Sequence, residues 1–291
     1  MGNSLARSLR ALSAAVAMSL ATAAIAQDRS GLERTDAPPL RPYKIILVGD
    51  STMAPHSGWG SAFCARHVKS SVACLNLGRG GRSTRSYRAE GSWAIALEEA
   101  RVPGYRASYV LIQFGHNDQS SRPERWTEMA TEFPENLRRF VAEVRSAGAI
   151  PIFLTPLTRR EFRQGRLDNS LAPWAAQVRA VATALDVPLV DLNAESAAAV
   201  ERMGAETAAQ LAQLPPSPEE LEAARGGTTL PPRPASAETE SDAAPGSGPR
   251  GRVTRKFDYT HVGPVGADFF ARMVTRSLAQ AVPALAGQLV P

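Results

Sequence analysis

The sequence predicts a three-layer α/β/α sandwich around a five-stranded parallel sheet. Of the 291 residues, 44% are hydrophobic, which is enough for a sizeable core. Five short apolar runs alternate with stretches of helical spacing, and this alternation is typical of a parallel sheet with helices on both faces. Small and polar residues directly follow three of the runs, where the carboxyl ends of parallel strands form a ligand site.

Each predicted strand is a short apolar run of the kind found in buried parallel sheets. The third run, YVLIQF, is apolar at nearly every position. The five runs occupy residues 44–48, 72–77, 109–114, 149–154 and 187–192.

Six further segments have apolar residues at helical spacing. One of them ends at Gly148, a common stop signal for a helix. Another contains Gly91, which weakens a helix from within. The predicted helices cover residues 59–68, 83–100, 128–147, 171–185, 194–214 and 266–281.

The first 26 residues have the composition of a secretory signal peptide. Arg7 and Arg10 precede an apolar stretch over residues 11–23, and Ala24-Ile25-Ala26 is a small-x-small cleavage site. We therefore expect an exported protein, periplasmic or secreted, with a polar N-terminal tail over residues 27–42 and no membrane attachment after cleavage. An N-terminal membrane anchor is the alternative interpretation of the same stretch.

A Pro-rich segment interrupts the predicted domain, which otherwise covers residues 43–214 and 256–291. Residues 215–255 contain eight of the chain's 22 prolines and almost no large apolar side chains. Such a composition cannot offset by burial the entropy that is lost on ordering. The sequence therefore predicts a disordered insertion, and a functional lid is the alternative.

Charge and cysteine content narrow the possible partners. The net charge is +5, and no block of Lys and Arg is interleaved with aromatic residues, so we expect no nucleic-acid binding. The two cysteines, Cys64 and Cys74, are too few for a zinc site without other ligands, and no Cys/His cluster is present. Export would permit a disulfide between them, but the sequence does not decide whether their Cα atoms lie close enough.

Ser51 is the candidate nucleophile, because it follows the first predicted strand in ILVGDST. A serine at this position commonly caps the next helix, so Ser51 alone leaves both interpretations open. Asp258 and His261 supply what a nucleophilic serine needs. A carboxylate three residues before a histidine can bind one ring nitrogen and leave the other to face the serine. The same D-x-x-H spacing also occurs in ordinary turns that an Asp caps.

Ester hydrolysis also needs hydrogen-bond donors for the oxyanion. The backbone N–H of Ser51 is one candidate. The turn GRGGRST, which contains Gly81, follows the second strand, and its glycines allow close approach of a ligand. Asn117 follows the third strand and offers a side-chain amide. All three donors are predicted at the same edge of the sheet.

In this order the motifs resemble those of the SGNH (GDSL) hydrolases, and most nearly those of the rhamnogalacturonan acetylesterases, a family of carbohydrate esterases. The resemblance covers residues 43–205 and 256–280. It is carried by Gly49-Asp50-Ser51-Thr52-Met53-Ala54, Gly58-Trp59-Gly60, Gly81-Arg82-Ser83-Thr84-Arg85-Ser86-Tyr87, Phe114-Gly115-His116-Asn117-Asp118, Asp258-Tyr259-Thr260-His261 and Pro264-x-Gly266-Ala267.

The resemblance implies catalytic roles for the residues that match these motifs. Ser51 would be the nucleophile, His261 the general base and acid, and Asp258 the orienting acid. The oxyanion hole would consist of the backbone N–H groups of Ser51 and Gly81 and the side chain of Asn117.

The resemblance also implies a flavodoxin-like fold that works without metal or other cofactor. Asp50 would stabilise the turn that carries the nucleophile, and His116 would be a supporting hydrogen-bond partner.

Four arginines are candidate substrate ligands, because they are predicted near the same edge and the Arg fork matches carboxylates such as those of uronic acids. They are Arg82, Arg85, Arg159 and Arg160. A solvated basic face is the alternative interpretation.

We therefore expect an exported, monomeric serine esterase that removes acetyl groups from plant cell-wall polysaccharide, foremost rhamnogalacturonan or other pectin, through an acetyl-enzyme. Two alternatives stay open. One is a lipid-directed esterase, lysophospholipase or thioesterase of the same fold, and the other is a non-catalytic glycan-binding protein.

Overall fold

Five parallel strands form the central sheet of the computed structural model, which describes residues 41–231 and 257–291. The strands of this part of the chain are β1 (Tyr43–Gly49), β2 (Ala73–Asn76), β3 (Ala107–Gln113), β4 (Ile150–Leu154), β5 (Phe162–Arg163), β6 (Arg166–Leu167) and β7 (Leu189–Val190). The sheet has the order β2-β1-β3-β4-β7, and β5 and β6 form a separate antiparallel hairpin.

The side chains of β1 show why the sheet is covered on both faces. Ile45 and Leu47 belong to one apolar cluster, and Ile46 and Val48 belong to another. None of the four is exposed. Because successive residues of a strand point to opposite faces, each cluster fills one side of the sheet. The predicted three-layer sandwich is therefore confirmed.

Helices connect the strands and form the two outer layers. They are α1 (Gly60–Ala62), which continues into a π-helical turn (Phe63–His67), α2 (Thr84–Ala89), α3 (Ser92–Arg101), α4 (Glu132–Ser146), α5 (Ala172–Ala184), α6 (Leu192–Ala209), α7 (Pro218–Arg225), α8 (Pro264–Ala281) and α9 (Pro283–Ala286). Among the described residues, no helix is long and apolar enough to cross a bilayer.

Glycine explains the main difference between the predicted and observed helices. The single helix predicted over residues 83–100 is two helices, α2 and α3, separated at Gly91. This residue has φ 87°, a left-handed conformation that ends a helix and that glycine adopts without strain. The predicted signal peptide and most of the predicted tail lie outside the described residues.

The first part of the predicted disordered insertion also differs from the prediction, because residues 218–225 form the helix α7. Its start is a capping box in which the Ser217 side chain accepts from the Glu220 N–H and the Glu220 side chain accepts from the Ser217 N–H. Pro218 occupies the first turn, where a missing N–H costs nothing. The helix buries Ala224. Residues 232–256 lie outside the described part.

The site is positioned by the reversal of strand order between β1 and β3. The chain first adds β2 on one side of β1 and then crosses to add β3 on the other. β1 and β3 pair from Tyr43–Ala107 to Gly49–Gln113. In open α/β sheets, ligands bind in the crevice at the carboxyl ends of two such strands. The residues that follow β1 and β3 therefore meet at this crevice.

Cys64 and Cys74 form a disulfide that joins the π-helical turn after α1 to β2. Their Cα atoms lie 5.5 Å apart, within the range that a disulfide spans. The pairing that the sequence left open is thus decided by how α1 packs beside the edge strand.

Reduction of this disulfide should lower the free energy of unfolding by roughly 2–3 kcal/mol, because the bond restricts a short loop of the unfolded chain. Urea unfolding with and without a reducing agent measures the difference. The double variant Cys64→Ser/Cys74→Ser is the control and should not respond to the reducing agent. Equal stabilities of the oxidised and reduced wild-type protein would contradict the prediction.

Candidate active site

Ser51 lies in a tight turn directly after β1 and not at the start of a helix. The backbone N–H groups of Met53 and Ala54 donate to the Asp50 carbonyl at 3.2 and 3.0 Å. Asp50 Oδ1 accepts from the backbone N–H and the hydroxyl of Thr52 at 2.8 and 2.7 Å. The next helix begins only at residue 60, so a capping role does not explain Ser51. The structure fits the turn-stabilising role expected for Asp50.

A chain of buried hydrogen bonds holds this turn against the sheet. The Trp59 indole N–H donates to Gln113 Oε1 at 2.9 Å, and Gln113 Nε2 donates to the Thr52 hydroxyl at 2.5 Å. Trp59, Gln113, Thr52 and Asp50 are all fully buried. Gln113 is the last residue of β3, so the neighbouring strand determines where the nucleophile turn lies.

The glycines beside Trp59 are needed because backbone passes close to both. A Cβ at Gly58 would lie 2.1 Å from the Thr52 carbonyl, and one at Gly60 would lie 2.3 Å from the Met53 carbonyl. Neither position can take a larger residue without moving the turn. The motif G-W-G was the available signal for this contact, but nothing local in the sequence indicated Gln113 as its partner.

The glycine-rich turn after β2 lies beside the nucleophile. The Arg79 N–H donates to the Gly49 carbonyl at 2.9 Å, which ties this turn to the end of β1. A Cβ built at Gly80 would lie 3.7 Å from the Ser51 Cβ, so the two backbones are close. Gly81 has φ +75°, a conformation that favours glycine. The predicted oxyanion donor therefore sits in a turn that only glycine adopts easily.

Asn117 is joined to the same turn through its side chain. Its Nδ2 donates one hydrogen to the Arg82 carbonyl at 3.1 Å, and the second amide hydrogen is available to a ligand. The Arg125 guanidinium lies 3.3–3.4 Å from the position that a Cβ of Gly81 would take. Sequence reasoning did not single out Arg125, since only the fold brings it to this turn.

Asp258 and His261 form the predicted acid–imidazole pair. His261 Nδ1 lies 2.7 Å from Asp258 Oδ2. Asp258 Oδ1 accepts from the backbone N–H groups of Thr260 and His261 at 2.7 and 2.6 Å. Burial by itself would raise the pKa of Asp258, but the bonds and attraction from His261 and the two backbone donors outweigh it, so this pKa is lowered. An ionised Asp258 leaves His261 Nε2 free to act as a base.

Ser57 connects the His261 loop to the nucleophile turn. The Val262 N–H donates to the Ser57 carbonyl at 3.0 Å, and the Ser57 hydroxyl donates to the Ser51 carbonyl at 2.7 Å. Within the described residues, no hydrogen bond joins the Ser51 hydroxyl to His261. Such bonds are often long without a substrate and tighten when it binds. Together the two loops bring all three predicted triad residues to one edge of the sheet.

Two of the predicted substrate arginines are neutralised by carboxylates. The Arg82 guanidinium donates from Nε to Glu90 Oε2 at 2.8 Å and from Nη1 to the Gly80 carbonyl at 2.7 Å. Arg85 forms a bidentate pair with Glu132, with Nε to Oε1 at 2.7 Å. Paired in this way, neither charge is fully available to a substrate carboxylate.

The other two predicted substrate arginines, Arg159 and Arg160, follow β4 and differ in their partners and exposure. Arg159 has only neutral hydrogen-bond partners among the described residues. These are the Ser170 hydroxyl at 3.1 Å and, with the amide oxygen turned toward it, Gln119 at 3.1 and 3.2 Å. Arg160 is 1% exposed, so its guanidinium is not open to a polymer. This geometry favours substrate binding by Arg159 and a structural task for Arg160.

A buried acidic cluster underlies the site. His116 Nδ1 lies 3.3 Å from Asp50 Oδ2, yet neither His116 ring nitrogen has a hydrogen-bond partner in the described part of the chain. His116 thus contacts Asp50, as expected of a supporting residue, but without a well-aligned hydrogen bond. Burial alone would raise the pKa of Asp50, but the attraction of His116 and the Thr52 donors lower it.

Asp118 is the second acid of this cluster and has no role predicted from the sequence. Its Oδ1 accepts from the Thr84 N–H at 3.0 Å, the Thr84 hydroxyl at 2.6 Å and the Thr127 hydroxyl at 3.1 Å. Its Oδ2 is buried and has no hydrogen-bond partner among the described residues. Burial, with a smaller contribution from the negative Asp50, raises the pKa of Asp118 to about 7 against the lowering effect of these donors.

Comparisons with known proteins find a family model and several relatives that match this chain. The model of the GDSL-like lipase/acylhydrolase family matches residues 47–218. The rhamnogalacturonan acetylesterase RhgT of Bacillus subtilis (strain 168) is 35% identical over 179 residues, which cover 59% of this chain and 74% of that protein. The probable rhamnogalacturonan acetylesterase YesY of the same organism is 30% identical over 169 residues, which cover 56% and 76%.

A solved structure supports the fold. The crystal structure of the Bacillus subtilis protein YxiM has a TM-score of 0.57 at 23% identity and covers 86% of this chain and 59% of that one. At this identity the likeness concerns the fold alone.

Asp118 should make folding stability depend on pH. Because its pKa rises from 3.8 to about 7 on folding, the folded state favours the protonated acid. This contribution is complete below pH 3.8 and is lost as the pH rises toward 7. Relative to Asp118→Asn, the wild-type protein should therefore lose roughly 2–3 kcal/mol between about pH 5 and pH 8. Urea unfolding of both proteins at the two pH values measures this. A stability difference independent of pH would contradict it.

Proposed function

Because this chain belongs to the GDSL-like lipase/acylhydrolase family and is an esterase, we propose that it removes acetyl groups from plant cell-wall polysaccharide, most specifically rhamnogalacturonan. The observation that carries the proposal is the meeting of the Ser51 turn with the hydrogen-bonded Asp258–His261 pair at one edge of the sheet. The names of the two acetylesterase relatives support the acetyl group and the polysaccharide.

Acylation is the first half of the proposed reaction. Ser51 Oγ attacks the acetyl carbonyl carbon while His261 Nε2 takes the hydroxyl proton. The carbonyl oxygen becomes an oxyanion, which accepts hydrogen bonds from the N–H groups of Ser51 and Gly81 and from Asn117 Nδ2. When the tetrahedral intermediate collapses, the bond to the sugar oxygen breaks. His261 Nε2 returns the proton to that oxygen, and the sugar hydroxyl leaves.

Deacylation follows the same path with water as the nucleophile. His261 Nε2 takes a proton from a water molecule while the water oxygen attacks the acetyl-enzyme carbonyl. The Ser51–acetyl bond breaks, Ser51 recovers its proton from His261, and acetate is released. Throughout both halves, the ionised Asp258 holds Nδ1–H and stabilises the positive imidazole ring.

The Cys64–Cys74 disulfide supports the part of the proposal that places this enzyme outside the cytoplasm. Disulfides persist in oxidising compartments and are rare in the reducing cytosol. Plant cell-wall polysaccharide is a polymer that an enzyme of this kind would meet only after export.

Arg159 is the proposed ligand for a uronate carboxylate of the substrate. It lies on the catalytic edge through its contact with Gln119, two residues after Asn117. Its guanidinium has no carboxylate partner within the described residues, whereas Arg82 and Arg85 do. An arginine whose charge is uncompensated can bind a carboxylate in the bidentate mode without first giving up an ion pair.

The Ser51→Ala variant should lose at least about a thousandfold of the kcat for p-nitrophenyl acetate, because no other group supplies the nucleophile. Initial rates and acetate release from acetylated rhamnogalacturonan measure the loss. The wild-type enzyme should also prefer acetate over long-chain esters, since a lipid-directed esterase would show the opposite. Wild-type rates for Ser51→Ala would exclude this serine as nucleophile.

The Arg159→Gln variant should become less selective for acidic polymers. The ratio of kcat/KM for acetylated pectin to kcat/KM for neutral acetylated xylan should fall about tenfold, as expected for one lost charge-assisted contact. Arg163→Gln, which alters an 81% exposed side chain on β5, is the matched control and should keep the wild-type ratio. An unchanged ratio for Arg159→Gln would remove Arg159 from the substrate site.

A further inference from the structure

Arg160 is buried directly behind the loop that carries the acid and base. It follows β4 and is 1% exposed, although arginine is almost never fully buried unless it is paired. Burial lowers the pKa of Arg160 to about 10 against the attraction of Asp258, so the guanidinium remains charged at neutral pH. Within the described residues, no carboxylate forms a salt bridge with it. Burying a charged group without a salt bridge costs free energy, so the buried position of this guanidinium needs another explanation.

The two terminal nitrogens and the backbone N–H of Arg160 donate to backbone carbonyls of one short segment, while Nε has no partner among the described residues. Nη2 donates to the carbonyls of Asp258 and His261 at 3.1 and 2.8 Å, and Nη1 donates to that of Thr260 at 3.3 Å. The backbone N–H of Arg160 donates to the Tyr259 carbonyl at 2.9 Å. Residue 160 therefore binds the carbonyl oxygen of every residue from 258 to 261.

The N–H groups and the carbonyl groups of this segment have different partners. Asp258 Oδ1 accepts the N–H groups of Thr260 and His261, so these two donors are satisfied within the segment. The carbonyls point the other way, toward Arg160. The planar guanidinium reaches three of them at once, which a single ammonium group on a flexible stem does not match.

We propose that Arg160 is a positioning residue that holds Asp258 and His261 in the orientation needed for proton transfer with Ser51. The inference rests on the esterase mechanism proposed above, in which Asp258 and His261 act as orienting acid and base. It gives Arg160 a role different from the substrate binding that its sequence position suggested.

The loop has a second attachment that Arg160 does not supply. Val262 pairs with Ala212 in an antiparallel bridge, and the Gln213 N–H donates to the His261 carbonyl at 3.2 Å. Without the guanidinium, the end of the segment near Val262 stays attached and the Tyr259 carbonyl keeps the backbone N–H of residue 160, while the carbonyls of Asp258 and Thr260 lose their donor. The expected damage is therefore a misplaced acid–base pair within a folded protein.

The test uses Arg160→Lys and Arg160→Ala with p-nitrophenyl acetate, a small ester that needs no polysaccharide contacts. Each folded variant should lose about 100-fold in kcat, the cost of a small misplacement of catalytic groups, with KM within about threefold of wild type. Guanidinium chloride at low, non-denaturing concentration should restore part of the activity of Arg160→Ala. Arg139→Gln, which changes a 58% exposed side chain on α4, is the control and should behave as wild type.

Several outcomes would overturn this role. Variants that retain kcat, or that raise KM alone, would return Arg160 to a neutral or substrate-binding position. Variants that lose cooperative thermal unfolding would make Arg160 a determinant of folding. Ser51→Ala, assayed in parallel, separates the two proposals. If it is inactive while the Arg160 variants are fully active, the esterase mechanism stands and the positioning role falls.

Discussion

The pairing of β1 with β3 is the constraint on which the rest of the site depends. The two strands lie in register up to Gly49 and Gln113, so the loops that leave them start side by side. Gln113 can then reach across to Thr52 and tie the nucleophile turn to the neighbouring strand. Asn117 follows β3 at the same edge of the sheet, and its side chain donates a hydrogen bond to the Arg82 carbonyl in the glycine-rich turn. A shift of one residue in this register would turn every side chain of β1 to the other face and separate these groups.

Rigidity beneath Ser51 comes from polar groups that are fully buried. Asp50, Thr52 and Gln113 are each 0% exposed, and Trp59 closes the chain of bonds. A buried polar group without a partner is costly, so such a network holds one arrangement and disfavours others. Asp118 shows this cost, because one of its carboxylate oxygens has no partner in the described part of the chain and burial keeps its pKa near 7.

The acid–base loop is organised by a different principle. The N–H groups of Thr260 and His261 bind Asp258 within the loop, and the carbonyls of Asp258, Thr260 and His261 bind a buried guanidinium from outside it. The nucleophile turn, by contrast, is fixed from the sheet side by β3. Two independent supports therefore bring the halves of the site together, and Ser57 is the short contact between them. In the proposed mechanism, proton transfer depends on distances that both supports set together.

The sequence by itself determined the five-stranded parallel sheet, because apolar runs and their alternation are local patterns. It also indicated Ser51, Asp258 and His261 as the candidate triad, since Asp258 and His261 are neighbours in sequence and Ser51 directly follows a strand. The Ser-Pro-Glu-Glu sequence is a local signal for the start of helix α7, although the composition of residues 215–255 predicted disorder. Only the tertiary structure decided the Cys64–Cys74 pair, the Trp59–Gln113 bond and the different partners of Arg159 and Arg160. The disulfide and the Trp59–Gln113 bond join residues of different elements, and Arg159 and Arg160 are neighbours whose side chains have different directions. Only the packing of the sheet brings such groups within bonding distance of their partners.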